Sequence, residues 1–214
     1  MEIDHVSYVA SHDQISDVIN RIGFLIGSPF IDGGIHPRFG TRNFTAPLKN
    51  NQYIEVVCPI DHPATDQTNF GIAVKQKALS GGGWFAWVIR TPDIEEIEKR
   101  IDRKAIDGDR IKPDGSKLKW KQIGVSEILT MNELPFFIEW QDSNHPSTDG
   151  VAIATIDKIY ISSNNDLNSS LFKKEIQEGV GNIKIEVIDS STNKNFTGIL
   201  SLDFTTNKGL VNIE

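Results

Sequence analysis

The chain is poor in several things, and each shortage removes a class of function. It has one cysteine in 214 residues, Cys58. A lone thiol forms no intrachain disulfide and no cysteine-based zinc site, so a reducing, cytoplasmic setting is expected. Basic residues are outnumbered, 22 Lys and Arg against 29 Asp and Glu, for a formal charge of −7. Nucleic-acid phosphates are held by basic surfaces. The basic residues here are scattered without a patch, so no nucleic-acid partner is expected. No apolar run approaches the roughly 20 residues of a membrane-spanning helix. The opening MEIDHVSYVAS also lacks the charged region and apolar core of a signal peptide, and no membrane partner is expected. The sequons at Asn43, Asn168 and Asn195 carry no meaning in that setting.

What is present is enough apolar residue for a real core, 38% of the chain, and a pattern that repeats. IDHVSYVA (3–10) alternates and is rich in β-formers, which predicts a strand. In SHDQISDVINRIG, Ile15, Val18, Ile19 and Ile22 share one helical face. Ser11 and Gln14 have capping-box spacing, and Gly23 suits the helix end. Three strand-like runs follow: FLIGSPFI, TRNFTAPL and QYIEVVCPI. After Gly81-Gly82-Gly83 the pattern restarts with the strand WFAWVIR. Thr91-Pro92 then opens a helix whose buried face is Ile94, Ile97 and Ile101. The runs KLKW, SEILTM and PFFIEW come next, with an Asp114-Gly115 turn before the first. A third pass starts at IDKIYISS (156–163). It continues with a helix carrying Leu167, Leu171 and Ile176, then NIKIEVID, TGILSLDF and GLVNIE. The fold class is therefore α+β: three βαβββ modules over residues 1–80, 81–150 and 151–214.

Two stretches say nearly the same thing: YIEVVCPIDHPATD (53–66) and FFIEWQDSNHPSTD (136–149). Aligning them sets Glu55 against Glu139, and aligning the helices sets His5 against Trp84. Paired βαβββ modules, with Asp4-His5-Val6, GGIHPRFGTRN, QYIEVV, GGGWFAWVIRT, KPDGSKLKW and LPFFIEW, resemble the glyoxalase-like branch of the vicinal oxygen chelate superfamily. That superfamily includes glyoxalases, extradiol dioxygenases and fosfomycin-resistance proteins. The resemblance covers most of residues 1–150. It implies two modules meeting in a cup of mixed sheet, with ligands for one divalent metal on the first and last strand of each. By position those would be His5, Glu55 and Glu139, with Trp84 standing where the fourth ligand is expected. A metal held this way polarises a small oxygenated substrate as a Lewis acid, and either glutamate could serve as catalytic base. The implied function is a metal-assisted lyase, isomerase or dioxygenase. The missing fourth ligand favours an alternative, a metal-free protein that sequesters or senses a small molecule.

Each candidate has a plainer reading beside it. His5 could bond a nearby backbone group, and Glu55 and Glu139 could face solvent. His36, Arg42 and Asn43 lie in a glycine-rich segment and are candidates for substrate binding, Arg42 through its planar fork. The plainer reading of Arg42 is a salt bridge that holds the loop. Trp84 is the fourth substrate-binding candidate, as cavity wall, while Trp87, Trp120 and Trp140 fit core or wall. His62 and His145 precede prolines and read as turns that close the modules. Cys58 lacks the context of a nucleophile. The third module has no internal partner. It is expected to pack across the other two or to form a homodimer through its exposed edge.

Overall fold

The computed structural model describes residues 1–141, 145–164, 167 and 172–214. The first βαβββ unit contains β1 (Glu2–Val9), α1 (Ile15–Ile26), β2 (Ile31–His36), β3 (Thr41–Leu48) and β4 (Gln52–Pro59). A helix α2 (Asn69–Leu79) links it to the second unit. That unit contains β5 (Gly83–Arg90), α3 (Ile94–Ile101), β6 (Ile106–Ile111), β7 (Lys117–Ile123) and β8 (Phe136–Trp140). The eight strands close into one barrel, in the order β1-β4-β3-β2-β6-β7-β8-β5. Two seams join the units: β1 runs antiparallel to β5, and β2 meets β6 through Ile35 and Ile111.

β1 and β5 are buried along nearly their whole length, because the cup lies on one face and helices and a second sheet cover the other. Such strands read as continuous apolar runs rather than strict alternations. The helix α1 runs three residues past the expected Gly23. It ends at Gly27, whose φ of 73° suits a glycine and whose N–H bonds the carbonyl of Gly23. FLI therefore belongs to the helix, and the second strand is IDGGIH. The Ser11 hydroxyl donates to Gln14 Oε1 instead of capping a backbone N–H. SEILTM is not a strand: it forms a 3-10 turn and loop, and its place in the sheet is taken by the more polar IDGDRI. Asp93, two residues past Thr91, caps α3 by accepting from Glu95 and Glu96 N–H.

The remaining elements are β9 (Thr155–Ser163), α4 (Lys173–Glu178), β10 (Lys184–Asp189), β11 (Gly198–Thr206) and β12 (Gly209–Ile213). Leu171 of the expected third helix lies outside the described residues; Leu167 and Ile176 are buried. The element order is βαβββ again, but the pairing is not. In the first unit the first strand pairs in parallel with the fourth, β1 with β4. In the third, β9 pairs in parallel with the second strand, β10, and the sheet order is β10-β9-β11-β12. This sheet lies against the outside of the barrel. The Trp84 indole donates to the Ile213 carbonyl at 2.8 Å, Phe137 stacks on Phe172, and Arg100 bonds Glu175 at 2.7 Å.

Candidate active site

Regular alternation would send consecutive residues of β1 to opposite faces. At the start of β1 that rule is broken. Ile3 pairs with Ile89 and His5 with Val88, so Asp4 is an extra residue in the ladder. Such a bulge re-aims side chains. Asp4 Oδ1 lies 2.7 Å from His5 Nδ1. Asp4 is fully buried, and its Oδ2 accepts from the Trp140 indole at 3.0 Å and from His145 Nε2 at 2.9 Å. Burial pushes the Asp4 carboxyl up, but the His145 and His5 hydrogen bonds outweigh it and hold the group below the usual range. Because His5 Nδ1 donates to this carboxylate, its Nε2 is the basic nitrogen. The His5 ring stacks on Tyr53 at 4.4 Å, and Nε2 stands 3.9 Å from Glu55 Oε2.

Glu55 faces the cup. Its Oε2 accepts from the Ser7 hydroxyl and its Oε1 from the Asn43 amide, each at 2.6 Å. Burial raises its pKa, but the neighbouring histidines and those two hydrogen bonds outweigh this, so Glu55 is held ionised. His36 Nε2 lies 4.0 Å from Glu55 Oε1, and its Nδ1 meets Thr41 Oγ1 at 3.1 Å. Burial lowers the pKa of His36 from 6.5 to about 4, which keeps the ring neutral.

These groups line one cavity of about 50 Å³. Its walls are aromatic: Phe39, Phe70, Trp120, Phe136 and Trp140. Helix α2, capped by Thr68, supplies the floor, packing Phe70 against Phe39 and Phe85. Among the described lining residues, Trp140 alone is not buried. Two further polar residues reach in from the second unit. Gln122 Oε1 accepts from the Trp120 indole at 2.9 Å, and Arg110 is only 2% exposed. Neither was singled out in the sequence. A short strand spelled IDGDRI gives no hint that its arginine points inward.

Three sequence candidates lie elsewhere. Arg42 makes a two-point ion pair with Asp32 through Nε and Nη2 on the outer surface. Glu139 faces away from the cup, where its Oε2 accepts from the Ile94 N–H at 2.8 Å and its Oε1 from Gln141 at 2.9 Å. It anchors the start of α3. Trp84 is buried in the seam with the C-terminal sheet, edge-on to Tyr8 and against Phe204. Asn43 supports Glu55 from behind and does not line the cavity.

The ladder explains the mismatch. Ser7 pairs with Ala86 and His5 with Val88. A two-fold relating β1 to β5 therefore exchanges His5 with Ala86. Ser7 also pairs with Glu55, and Val88 with Phe136, so the same operation takes Glu55 to Phe136. The repeat FFIEW is out of step with YIEVV by an odd number of residues, which puts its glutamate on the other face. Ala86 and Phe136 have no ligating atom. The expected metal set of His5, Glu55 and Glu139 is split by the barrel wall, and both Glu55 oxygens already accept hydrogen bonds. Among the described residues no group of three or more His, Cys, Asp or Glu has a metal-holding arrangement. The residues present do not fit the divalent ion implied by the resemblance.

His62 caps a 3-10 turn by accepting from Ala64 N–H, as expected of a closing turn. His145 does the same with Ser147 N–H and also binds Asp4, a second role that its turn context concealed. Cys58 is buried, and burial raises its thiol pKa.

Among solved structures, the chain is similar to a hypothetical protein from Staphylococcus aureus, with 18% identity and a TM-score of 0.60 over 99% of this chain and 85% of that one. It is also similar to methylmalonyl-CoA epimerase from Mycobacterium tuberculosis, at 14% identity and TM-score 0.43 over 64% of this chain and 87% of the other. A variant of the Streptomyces coelicolor methylmalonyl-CoA epimerase, in complex with 2-nitronate-propionyl-CoA, gives 13% and 0.45 over 65% and 94%. A search of curated proteins found no match. No helix among the described residues is long and apolar enough to cross a membrane. The family model of the glyoxalase-like domain matches residues 3–172, and with the barrel of two βαβββ units this makes the chain a member of that family, with the vicinal oxygen chelate fold.

Proposed function

We propose that the cavity binds a small oxygenated molecule and that His5 moves a proton on it, giving an isomerase- or lyase-type activity. The observation that carries this reading is the buried Asp4–His5 pair, with the free His5 Nε2 in the same cavity as Glu55. Asp4 fixes the tautomer and stabilises the imidazolium that forms when Nε2 takes a proton. Glu55, held ionised, adds a second negative charge 3.9 Å from that nitrogen. Its own oxygens are engaged by Ser7 and Asn43, so His5 is the better base. Aromatic walls exclude water and strengthen each of these interactions. No step is assigned to a metal, because the donor set does not fit one. The single buried thiol suits a reducing, cytoplasmic location.

A second reading is a binding protein without turnover, favoured by the aromatic lining. One experiment separates the two. Small carbonyl compounds are incubated with the protein in D₂O, and loss of protons next to the carbonyl is followed by NMR. Catalysed exchange should vanish in His5→Gln and fall by about 10²-fold or more in Asp4→Asn. Undiminished exchange in His5→Gln would sink the proposal. Saturable binding with no exchange would establish the second reading.

A further inference from the structure

We infer that the ligand of this cavity carries a single carboxylate, seated on one edge of Arg110. The inference rests on the reading of the cavity as a small-molecule site and names the class of ligand. Arg110 is 2% exposed, and neither its Nε nor its Nη2 has a hydrogen-bond partner among the described residues. A buried cation left unpaired is costly, and proteins keep such groups paired. Asp109, its neighbour in sequence, is taken by Arg38 and Lys117 on the outside. Glu55 is taken by Ser7 and Asn43.

The two unpaired nitrogens are the side-on edge of the guanidinium, which meets both oxygens of a carboxylate in parallel. Arg42 shows this geometry within the same chain, with Nε and Nη2 on the two oxygens of Asp32. A third donor lines the same cavity. Gln122 Nε2 is buried without a partner, its amide being turned by the Trp120 bond to Oε1. Gly33 leaves the guanidinium its place, since a Cβ there would come within 2.9 Å of Nη1 and closer still to Asn43 Oδ1.

Size and charge narrow the class. A cavity of about 50 Å³ holds only a few waters, or one small acid. A dianion such as phosphate would bring a second charge into a cavity that Glu55 already makes negative.

Pyruvate, its neutral isostere butane-2,3-dione and inorganic phosphate are titrated into the full chain, with the indole N–H signals of Trp120 and Trp140 followed by NMR. Pyruvate should give saturable shifts, and the dione and phosphate should not at the same concentrations. Arg110→Met should weaken pyruvate binding at least tenfold, with Arg110→Lys in between. Equal binding of the dione, tighter binding of phosphate, or unchanged pyruvate binding in a folded Arg110→Met would overturn the inference. The comparison of pyruvate with the dione uses the unaltered protein, so it stands if the variant fails to fold. Arg110-dependent binding without proton exchange defeats the proposed turnover but not this assignment. Exchange on the dione that needs His5 and ignores Arg110 does the reverse.

Discussion

His5 Nδ1 and Asp4 Oδ1 lie 2.7 Å apart although the two residues are adjacent in a strand. They meet because Asp4 is the bulged residue of β1. The contact joins one half of the cavity to the other, since the second Asp4 oxygen binds Trp140 and His145 from the second unit.

The stability of the fold should fall with pH in a window set by His36. The unfolded imidazole takes up a proton below about pH 6.5, the folded one only below about 4. Between those values the unfolded state binds more protons. The contribution is therefore full above pH 6.5 and shrinks as pH falls toward 4. From pH 7 to 5 the loss is about 2 kcal/mol. Urea unfolding at the two pH values should show a smaller drop in His36→Gln, and an equal drop would remove His36 as the cause.

Arg110→Met should raise the stability of the ligand-free protein by about 1–3 kcal/mol, as replacing buried charge by apolar volume does elsewhere. The urea midpoint should move up while pyruvate affinity falls. A variant that is both weaker in binding and less stable would mean that Arg110 has a structural partner.

Glu139→Ala should cost about 1 kcal/mol through loss of the bond to the Ile94 N–H at the start of α3. Pyruvate binding and proton exchange should be unchanged. A large loss of either, with the fold intact, would return Glu139 to the site.

Trp84→Phe removes the donor to the Ile213 carbonyl, at a cost of about 0.5–1.5 kcal/mol. The loss should show as easier unfolding of the C-terminal sheet, read by hydrogen exchange of β11 and β12. Cavity binding should be indifferent to it.

Much of the fold was legible because the strands of each unit carry apolar runs and the helical faces repeat at Ile15/Ile22 and Ile94/Ile101. Glu55 stood out as a polar exception in an apolar strand, His5 by its position in the family resemblance, and His36 by its glycine-rich segment. The errors have one physical source each. Similar spelling at Glu55 and Glu139 concealed a shift of register, and a side-chain period of two turns an odd shift into the opposite face. The bulge at Asp4 is a backbone event with no residue signature. Arg110 was missed because IDGDRI looks like a surface turn, and burial of a cation is dictated by tertiary context. The helix α2 carries its apolar face on small residues, Ala73 and Ala78 beside Phe70 and Val74, and gave little periodic signal.

With α2 packed beneath it, the cavity of about 50 Å³ has room for one small molecule at a time, so arrival of the next must wait for release of the last. Only the tip of a longer compound reaches His5. Bonds in the interior of a polymer stay out of range, whatever chemistry the site performs.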